Sequence, residues 1–284
     1  MVTVFDAGGE VDLPGTRKLA RYLVDHGSHG LVVSGTTGES PTLEDDEKLE
    51  LLEAVLEEVG DEATIVFGSG SNDTRHSVEL TRAGARSGAH ASLIATPYYN
   101  LPSRAGIVGH FQAIADAEPD LPMVLYNVPT RTAVNMPVDL LAELAQIPNV
   151  VAVKQANDDD LGPVDGLELL AGNDGVFLEA LKHGGTGGIL VASHIAGDGM
   201  REVWDLFQAG DVVGAEAKDK ELRPVYEAMG VTTNPTPVKA ALEMAGCCPA
   251  TMRLPMVEAT EEQKAEIKDL IEQSGITLSA SSPK

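Results

Sequence analysis

The chain has 284 residues, of which 43% are hydrophobic, so it can build a sizeable core as one large domain or two small ones. Its formal net charge is -24, from 44 acids against 20 bases, which argues against nucleic acid or an anionic membrane as a partner. No apolar run reaches membrane-spanning length and the start does not resemble a signal peptide, so we expect neither a membrane segment nor secretion.

Short apolar runs alternate with amphipathic segments along most of the chain, which predicts strands alternating with helices. Glu44 precedes a predicted helix, Asp73 or Thr74 caps another, and Pro137 suits the first turn of a third. The predicted strands are residues 2–5, 30–33, 64–67, 91–95, 123–126, 150–154, 167–170 and 188–191.

The count of eight β-α units predicts an α/β protein with the (β/α)8 TIM barrel fold. A doubly wound sheet is the rival, but its phosphate-binding fingerprint does not follow the first strand. Four helices are predicted after the last strand, at residues 198–209, 213–229, 237–244 and 261–273. We therefore expect a catalytic barrel over residues 1–210 and a C-terminal helical extension over residues 211–284. Cys247 and Cys248 are adjacent and lack metal-site spacing, which indicates reduced thiols and a cytoplasmic location.

Lys154 ends an apolar β-type run, Val150-Val151-Ala152-Val153. A buried ammonium loses hydration, which favours the neutral amine, and a neutral amine can attack a carbonyl to form a Schiff base. Taken alone, Lys154 could equally bury its stem and keep its charged head in water.

Other polar residues also follow predicted strands, where the chemistry of a barrel is located. Thr36 and Thr37, flanked by glycines, can bind a carboxylate, or they can form an ordinary turn with a helix-capping threonine. Tyr126 can relay protons or simply pack, and Arg131 can bind a carboxylate or form a surface ion pair. The chain lacks a metal-ligand cluster, a dinucleotide loop and a nucleophilic serine motif. Together these residues predict aldol chemistry on a 2-oxo acid through a Schiff base, with no metal or cofactor.

The motifs and their order resemble those of the class I aldolase family that contains dihydrodipicolinate synthase and N-acetylneuraminate lyase. The resemblance covers almost the whole chain and is closest to the first of these two activities. It is carried by Gly35-Thr36-Thr37-Gly38-Glu39, Pro97-Tyr98-Tyr99-Asn100, Tyr126-Asn127-Val128-Pro129-Thr130-Arg131-Thr132, Val153-Lys154 and Asn234-Pro235-Thr236-Pro237-Val238-Lys239.

The resemblance implies that Lys154 forms the Schiff base with pyruvate. Tyr126, Thr37 and Tyr99 would form a proton relay, with Tyr99 reaching in from a neighbouring subunit. Thr36 and Thr37 would hold the pyruvate carboxylate.

The resemblance also implies that Arg131 binds the carboxylate of aspartate semialdehyde, while Gly172 and Ile189 line the pyruvate pocket. The product would be 4-hydroxy-tetrahydrodipicolinate, on the route to lysine and diaminopimelate. The partners would be pyruvate and a small aldehyde, and the assembly a homotetramer built as a dimer of dimers.

Several positions depart from the family pattern. Gln155 replaces a usual acid, Asn173 replaces a usual aspartate, and the chain starts inside the first strand. The segment 157–168 is short, so we expect the helix there to be reduced to a turn. A lysine-binding cleft at the dimer interface would have altered residues here, and Lys48 would repel a cationic ligand. The matching cleft positions are Ser40, Asp45, Lys48, Asn72, His76 and Tyr98.

Two other functions remain open from the sequence. A sugar-acid aldolase acting on 2-keto-3-deoxygluconate or N-acetylneuraminate would not need Arg131, whereas a second carboxylate substrate does. A non-catalytic oligomeric relative would not need the set Lys154, Tyr126, Thr37 and Tyr99.

The clustered acids, such as Asp158-Asp159-Asp160, are explained either as an ordinary solvated face or as an adaptation to high salt. On the salt hypothesis, the free energy of unfolding should rise from low to molar salt because counterions screen the repulsion. Denaturant unfolding at a series of salt concentrations measures this dependence. Stability that does not change with salt would reject the hypothesis.

Overall fold

The structure is a computed structural model that describes residues 1–278 of the chain. Two compact units are present among these residues, the first formed by residues 1–63 and 191–278 and the second by Thr64–Leu190. Within the described residues, no helix has the length and apolar character needed to cross a membrane.

The second unit contains a parallel sheet of six strands that pair in chain order. A doubly wound sheet reverses its order at a switch point, so this unreversed order is that of a barrel wall. The strands are β2 (Thr64–Gly68), β3 (Ala91–Ala95), β4 (Met123–Asn127), β5 (Val150–Gln155), β6 (Glu168–Ala171) and β7 (Gly187–Gly188). The helices of this unit are α3 (Thr74–Arg86), α4 (Arg104–Ala117), α5 (Pro129–Thr132), α6 (Val138–Leu144) and α7 (Phe177–Lys182).

The core of the second unit lies between its strands and the helices α4 and α6. Phe111 and Ile114 of α4 and Leu141 of α6 pack there against Leu125 and Val153 of the sheet. Asp73 caps α3 as predicted, since its side chain accepts hydrogen bonds from the N–H groups of the first turn.

The connection between β5 and β6 is short, as predicted. A three-residue 3-10 helix, Asp158–Asp160, occupies the place of a full helix. An isolated antiparallel bridge between Val164 and Leu167 then leads into β6. The connection therefore runs close to the C-terminal end of β5, just after Lys154.

The first unit carries one strand and most of the helical mass within residues 1–63 and 191–278. Glu44 and Glu47 form a capping box at the start of the helix Asp45–Val59, and Thr260 and Gln263 form another at the start of the helix Glu261–Gln273. The elements are α1 (Leu13–Asp25), β1 (Gly30–Val33), α2 (Asp45–Val59), α8 (Ser193–Gln208), α9 (Val212–Ala228), α10 (Thr236–Met244) and α11 (Glu261–Gln273). The four C-terminal helices are thus confirmed, with α8 starting five residues earlier than predicted.

Two strand predictions are wrong in detail. Residues 2–5 form no regular strand, because Phe5 makes only an isolated antiparallel bridge with Val11 and the N–H of Asp12 bonds to the carbonyl of Val4. The last predicted strand is cut to the two residues of β7, because the carbonyls of Val191 and Ala192 already accept hydrogen bonds from the start of α8.

Candidate active site

The pairing of β4 with β5 brings the candidate amine and one candidate phenol together. Tyr126 and Lys154 are partners in the register of these strands. The Lys154 Nζ lies 4.2 Å from the centroid of the Tyr126 ring. Both residues are buried, at 8% exposure for Lys154 and 7% for Tyr126. The amine therefore lies against an aromatic face in a largely dehydrated environment.

Gln155 does not share this surface. Side chains alternate along a strand, so Gln155 points to the face of β5 opposite Lys154. There its carbonyl oxygen accepts a hydrogen bond of 2.9 Å from the side-chain amide of Asn127 on β4. Any effect of Gln155 on Lys154 therefore acts through the backbone of the strand.

Gly172 and Ile189 lie after β6 and β7, one strand and two strands beyond Lys154. The Gly172 N–H donates to the carbonyl of Gln155 at 2.7 Å, and the Ile189 N–H donates to the carbonyl of Ala171 at 2.9 Å. A Cβ on Gly172 would lie 2.6 Å from the Gln155 carbonyl oxygen and 2.7 Å from the Ala156 Cβ. Because such contacts are too short, this position requires glycine.

Arg131 and Tyr99 are both exposed in the second unit. Arg131 lies in the short helix α5, which ends at Ala133 in the left-handed conformation with φ 57°. Tyr99 is 89% exposed and has a φ of 71°. An aromatic ring held outward on strained backbone is unusual for a residue that only packs within its own chain.

The turn that contains Thr36 and Thr37, here named the hydroxyl turn, lies in the first unit directly after β1. The N–H groups of Gly38 and Ser40 donate to the carbonyl of Gly35, which closes the turn. The side-chain amide of Asn234 donates to the Thr37 Oγ1 at 3.0 Å. Because Thr37 accepts this bond, its own hydroxyl hydrogen remains available for donation to another acceptor.

Buried charges anchor the end of this turn. The Lys239 Nζ lies 2.5 Å from the Glu39 Oε1, with side-chain exposures of 0% and 1%. The same amine donates to the carbonyl of Thr251 at 2.7 Å, and the N–H of Arg253 donates to Glu39 at 3.2 Å. Burial lowers the pKa of Lys239, whereas the Glu39 carboxylate opposes that effect. Removal of one partner would leave a buried unpaired charge, which costs about 3–5 kcal/mol.

The residues predicted to form a lysine-binding cleft are divided between the two units. In the first unit, the Lys48 Nζ forms an ion pair of 3.0 Å with Asp45, and Ser40 begins a 3-10 helix. In the second unit, the backbone carbonyl of Asn72 accepts a hydrogen bond from Asn100, and Tyr98 is 38% exposed. His76 lies in the first turn of α3.

Cys247 and Cys248 are free thiols, as expected of neighbours that cannot bridge easily. Burial raises the pKa of Cys248 to about 12, so this thiol is a poor nucleophile. Within residues 1–278, no group of three or more His, Cys, Asp or Glu side chains is arranged to hold a metal ion.

The sequence interpretation assigned no role to Asn127 or Asn234, although both lie inside the motifs that it quoted. Each binds a side chain next to or within the candidate site, Asn127 through Gln155 and Asn234 through Thr37. Asn127 places a side-chain amide at the end of an otherwise apolar strand, and this contrast is the sequence signal that could have identified its role.

The chain matches the profile of the Dihydrodipicolinate synthetase family over residues 1–274. It is 45% identical to the 4-hydroxy-tetrahydrodipicolinate synthase of Moorella thermoacetica over 284 residues, covering 97% of both chains. The structure of the Cyanidioschyzon merolae enzyme with lysine bound superposes with a TM-score of 0.94 and 36% identity, over 98% of this chain and 97% of that one. A chloride-inhibited Acinetobacter baumannii dihydrodipicolinate synthase in complex with pyruvate gives a TM-score of 0.94 and 32% identity, over 98% and 97%.

These matches span nearly the whole chain. Together with the chain-ordered parallel sheet, they confirm the predicted α/β class and (β/α)8 barrel with a C-terminal helical region.

Proposed function

The chain belongs to the dihydrodipicolinate synthetase family, and we propose that it condenses pyruvate with L-aspartate 4-semialdehyde through a Schiff base on Lys154. The product is 4-hydroxy-tetrahydrodipicolinate, an intermediate of lysine and diaminopimelate biosynthesis. The observation that carries the assignment of Lys154 is its buried amine, 4.2 Å from the ring of Tyr126 at the C-terminal end of β5.

The chemistry of the two substrates dictates the steps. The neutral Lys154 amine attacks C2 of pyruvate, and loss of one water gives the imine. Loss of a proton from the methyl carbon gives an enamine, whose carbon attacks the aldehyde. The amino group of the semialdehyde then attacks the former C2, closes the ring and expels the lysine amine. One water is released overall.

These steps require proton transfer at the imine, the methyl carbon and the new hydroxyl. We assign the relay to Tyr126, Thr37 and, from a second copy of the chain, Tyr99. The Asn234–Thr37 hydrogen bond supports the role of Thr37, because it leaves the Thr37 hydrogen to be donated. Thr36 and Thr37 hold the pyruvate carboxylate, and Gly172 and Ile189 line the pyruvate pocket.

The exposed ring of Tyr99 supports an assembly of at least two chains. We assign a homotetramer, a dimer of dimers, in the cytoplasm. We also assign residues 1–210 to the catalytic barrel and residues 211–284 to the helical extension, of which residues 279–284 lie outside the described part of the chain.

Borohydride reduction in the presence of pyruvate tests the Schiff base directly. Reduction should convert the imine into a stable secondary amine, and peptide mass spectrometry should locate this adduct on Lys154. The Lys154→Arg variant should lose the adduct because a guanidinium does not form the imine.

Lys48 offers a matched control, since it is as deeply buried as Lys154, at 7% and 8% exposure. The Lys48→Arg variant should keep the adduct. If the wild-type protein shows no reduced pyruvate adduct on Lys154, the aldolase assignment is rejected.

Arg131→Ala should raise the KM for the semialdehyde by about 10-fold to 100-fold, because a hydrogen bond to a charged group contributes about 1.5–3 kcal/mol. The KM for pyruvate should change little. Arg104→Ala is the control, since Arg104 is another exposed arginine of the second unit and pairs with Asp139 and Glu143. Equal effects on both substrates, or faster turnover of 2-keto-3-deoxygluconate, would contradict the role of Arg131.

Lysine should inhibit this enzyme weakly or not at all. The Cyanidioschyzon merolae enzyme has been crystallised with lysine bound, but here Lys48 neutralises Asp45 and leaves that pair without net negative charge for a cationic ligand. Steady-state rates at increasing lysine concentration measure the effect. Activity halved by sub-millimolar lysine would refute the prediction.

A further inference from the structure

Two buried amides face each other directly behind the candidate catalytic pair. Asn127 and Gln155 are register partners on β4 and β5, one position after Tyr126 and Lys154. Their exposures are 0% and 1%. The Asn127 Nδ2 donates to the Gln155 Oε1 at 2.9 Å. Alternation along both strands directs this pair to the opposite face of the sheet from Tyr126 and Lys154.

Backbone N–H groups determine which way each amide points. The Met136 N–H donates to the Asn127 Oδ1 at 3.0 Å, and the Asn157 N–H donates to the Gln155 Oε1 at 3.0 Å. A backbone N–H can only donate, so both oxygens are identified by their partners. The Asn127 Nδ2 uses its two hydrogens on Gln155 and on the Asn135 Oδ1, at 2.9 and 2.8 Å.

The pair is continuous with the loops that follow both strands. The side-chain amides of Asn135 and Asn157 both donate to the Asp160 Oδ2, at 2.7 and 2.8 Å. Asn135 belongs to the loop after β4, whereas Asn157 and Asp160 belong to the loop after β5. This connected set, the amide cluster, consists of Asn127, Asn135, Gln155, Asn157 and Asp160.

We propose that the Asn127–Gln155 pair is a positioning device for catalysis, which rests on the proposed role of Lys154. Each amide is bonded through one peptide to a residue of the reacting pair. The backbone reinforces the link, because the Ala156 N–H donates to the Asn127 carbonyl at 2.9 Å. The two strand ends therefore cannot rotate or slide independently, and the Lys154 amine keeps its place against Tyr126. Neither amide touches substrate.

A neutral pair suits this task. The adjacent loop already contains the carboxylates of Asp158 and Asp160, and Asp160 is itself a member of the amide cluster. Amides do not titrate between acidic and alkaline pH, so the hydrogen bond between Asn127 and Gln155 does not itself depend on pH.

The test is the rate at which the Lys154 imine forms, followed by timed borohydride quenching and mass spectrometry. Gln155→Met keeps the length of the side chain but removes its hydrogen bonds. Imine formation and kcat should fall by about 10-fold to 100-fold, the effect of a misplaced reacting group. The KM for the semialdehyde should stay unchanged.

Asn149→Met is the matched control. Asn149 is buried just before β5, at the other end of the strand, and its amide donates to the carbonyls of Ala115, Glu118 and Leu121. Its loss should lower the thermal midpoint while leaving the rate of imine formation near that of the wild type. An equal slowing in Asn149→Met and Gln155→Met would assign the effect to general destabilisation and overturn the proposal.

Gln155→Glu is the rescue variant, since a carboxylate oxygen accepts the same bonds from Asn127 and Asn157. It should recover most of the rate.

If Gln155→Met does not fold, Gln155→Asn replaces it, because the shorter amide cannot reach both partners. Imine formation at the wild-type rate in the folded Met or Asn variant overturns the proposal. A wild-type protein without any Lys154 adduct instead refutes the proposed function.

Discussion

The site of the second unit depends on the register between β4 and β5. Met123 pairs with Val150, but Val124 pairs with Ala152, so the register shifts by one residue at the start of the strands. Val151 is the extra residue and is 39% exposed. Without the shift, Tyr126 would face Val153 instead of Lys154. A slip of one residue also exchanges the two faces of a strand, which would bury the amine behind the sheet.

The two sides of this strand pair have different chemistry for a physical reason. The reacting side needs a group that changes its protonation and forms a covalent bond, and Lys154 supplies it. The opposite side needs fixed geometry, which the hydrogen bonds of Asn127 and Gln155 supply without charge. The first unit solves a similar problem with charges, since Glu39 and Lys239 anchor the hydroxyl turn. There the tight ion pair is fully buried, so its partners compensate each other.

The sequence predicts much of this molecule because its strongest signals are local. The parallel strands, the cap at Asp73 and the reduced connection at Asp158–Asp160 follow from periodicity, capping chemistry and length. The irregular start of the chain was missed because residues 2–5 are as apolar as a strand and differ only in where their backbone groups bond. The amide cluster was also missed, because its hydrogen bonds join residues up to 28 positions apart, as between Asn127 and Gln155, and a sequence pattern shows only local partners.

The neutral side chain of Gln155 has a further consequence in a chain with a net charge of -24. A carboxylate at this position would lie in the same cluster as Asp160 and next to a loop with two more acids. Two neighbouring carboxylates repel each other, which favours the protonated form of one of them. A carboxylate there would keep the hydrogen bonds from Asn127 and the Asn157 N–H, but it would add a second titrating group to the cluster. The neutral amide provides the same hydrogen-bond acceptor without placing a second charge beside Asp160, so the geometry behind Lys154 is held with one carboxylate rather than two.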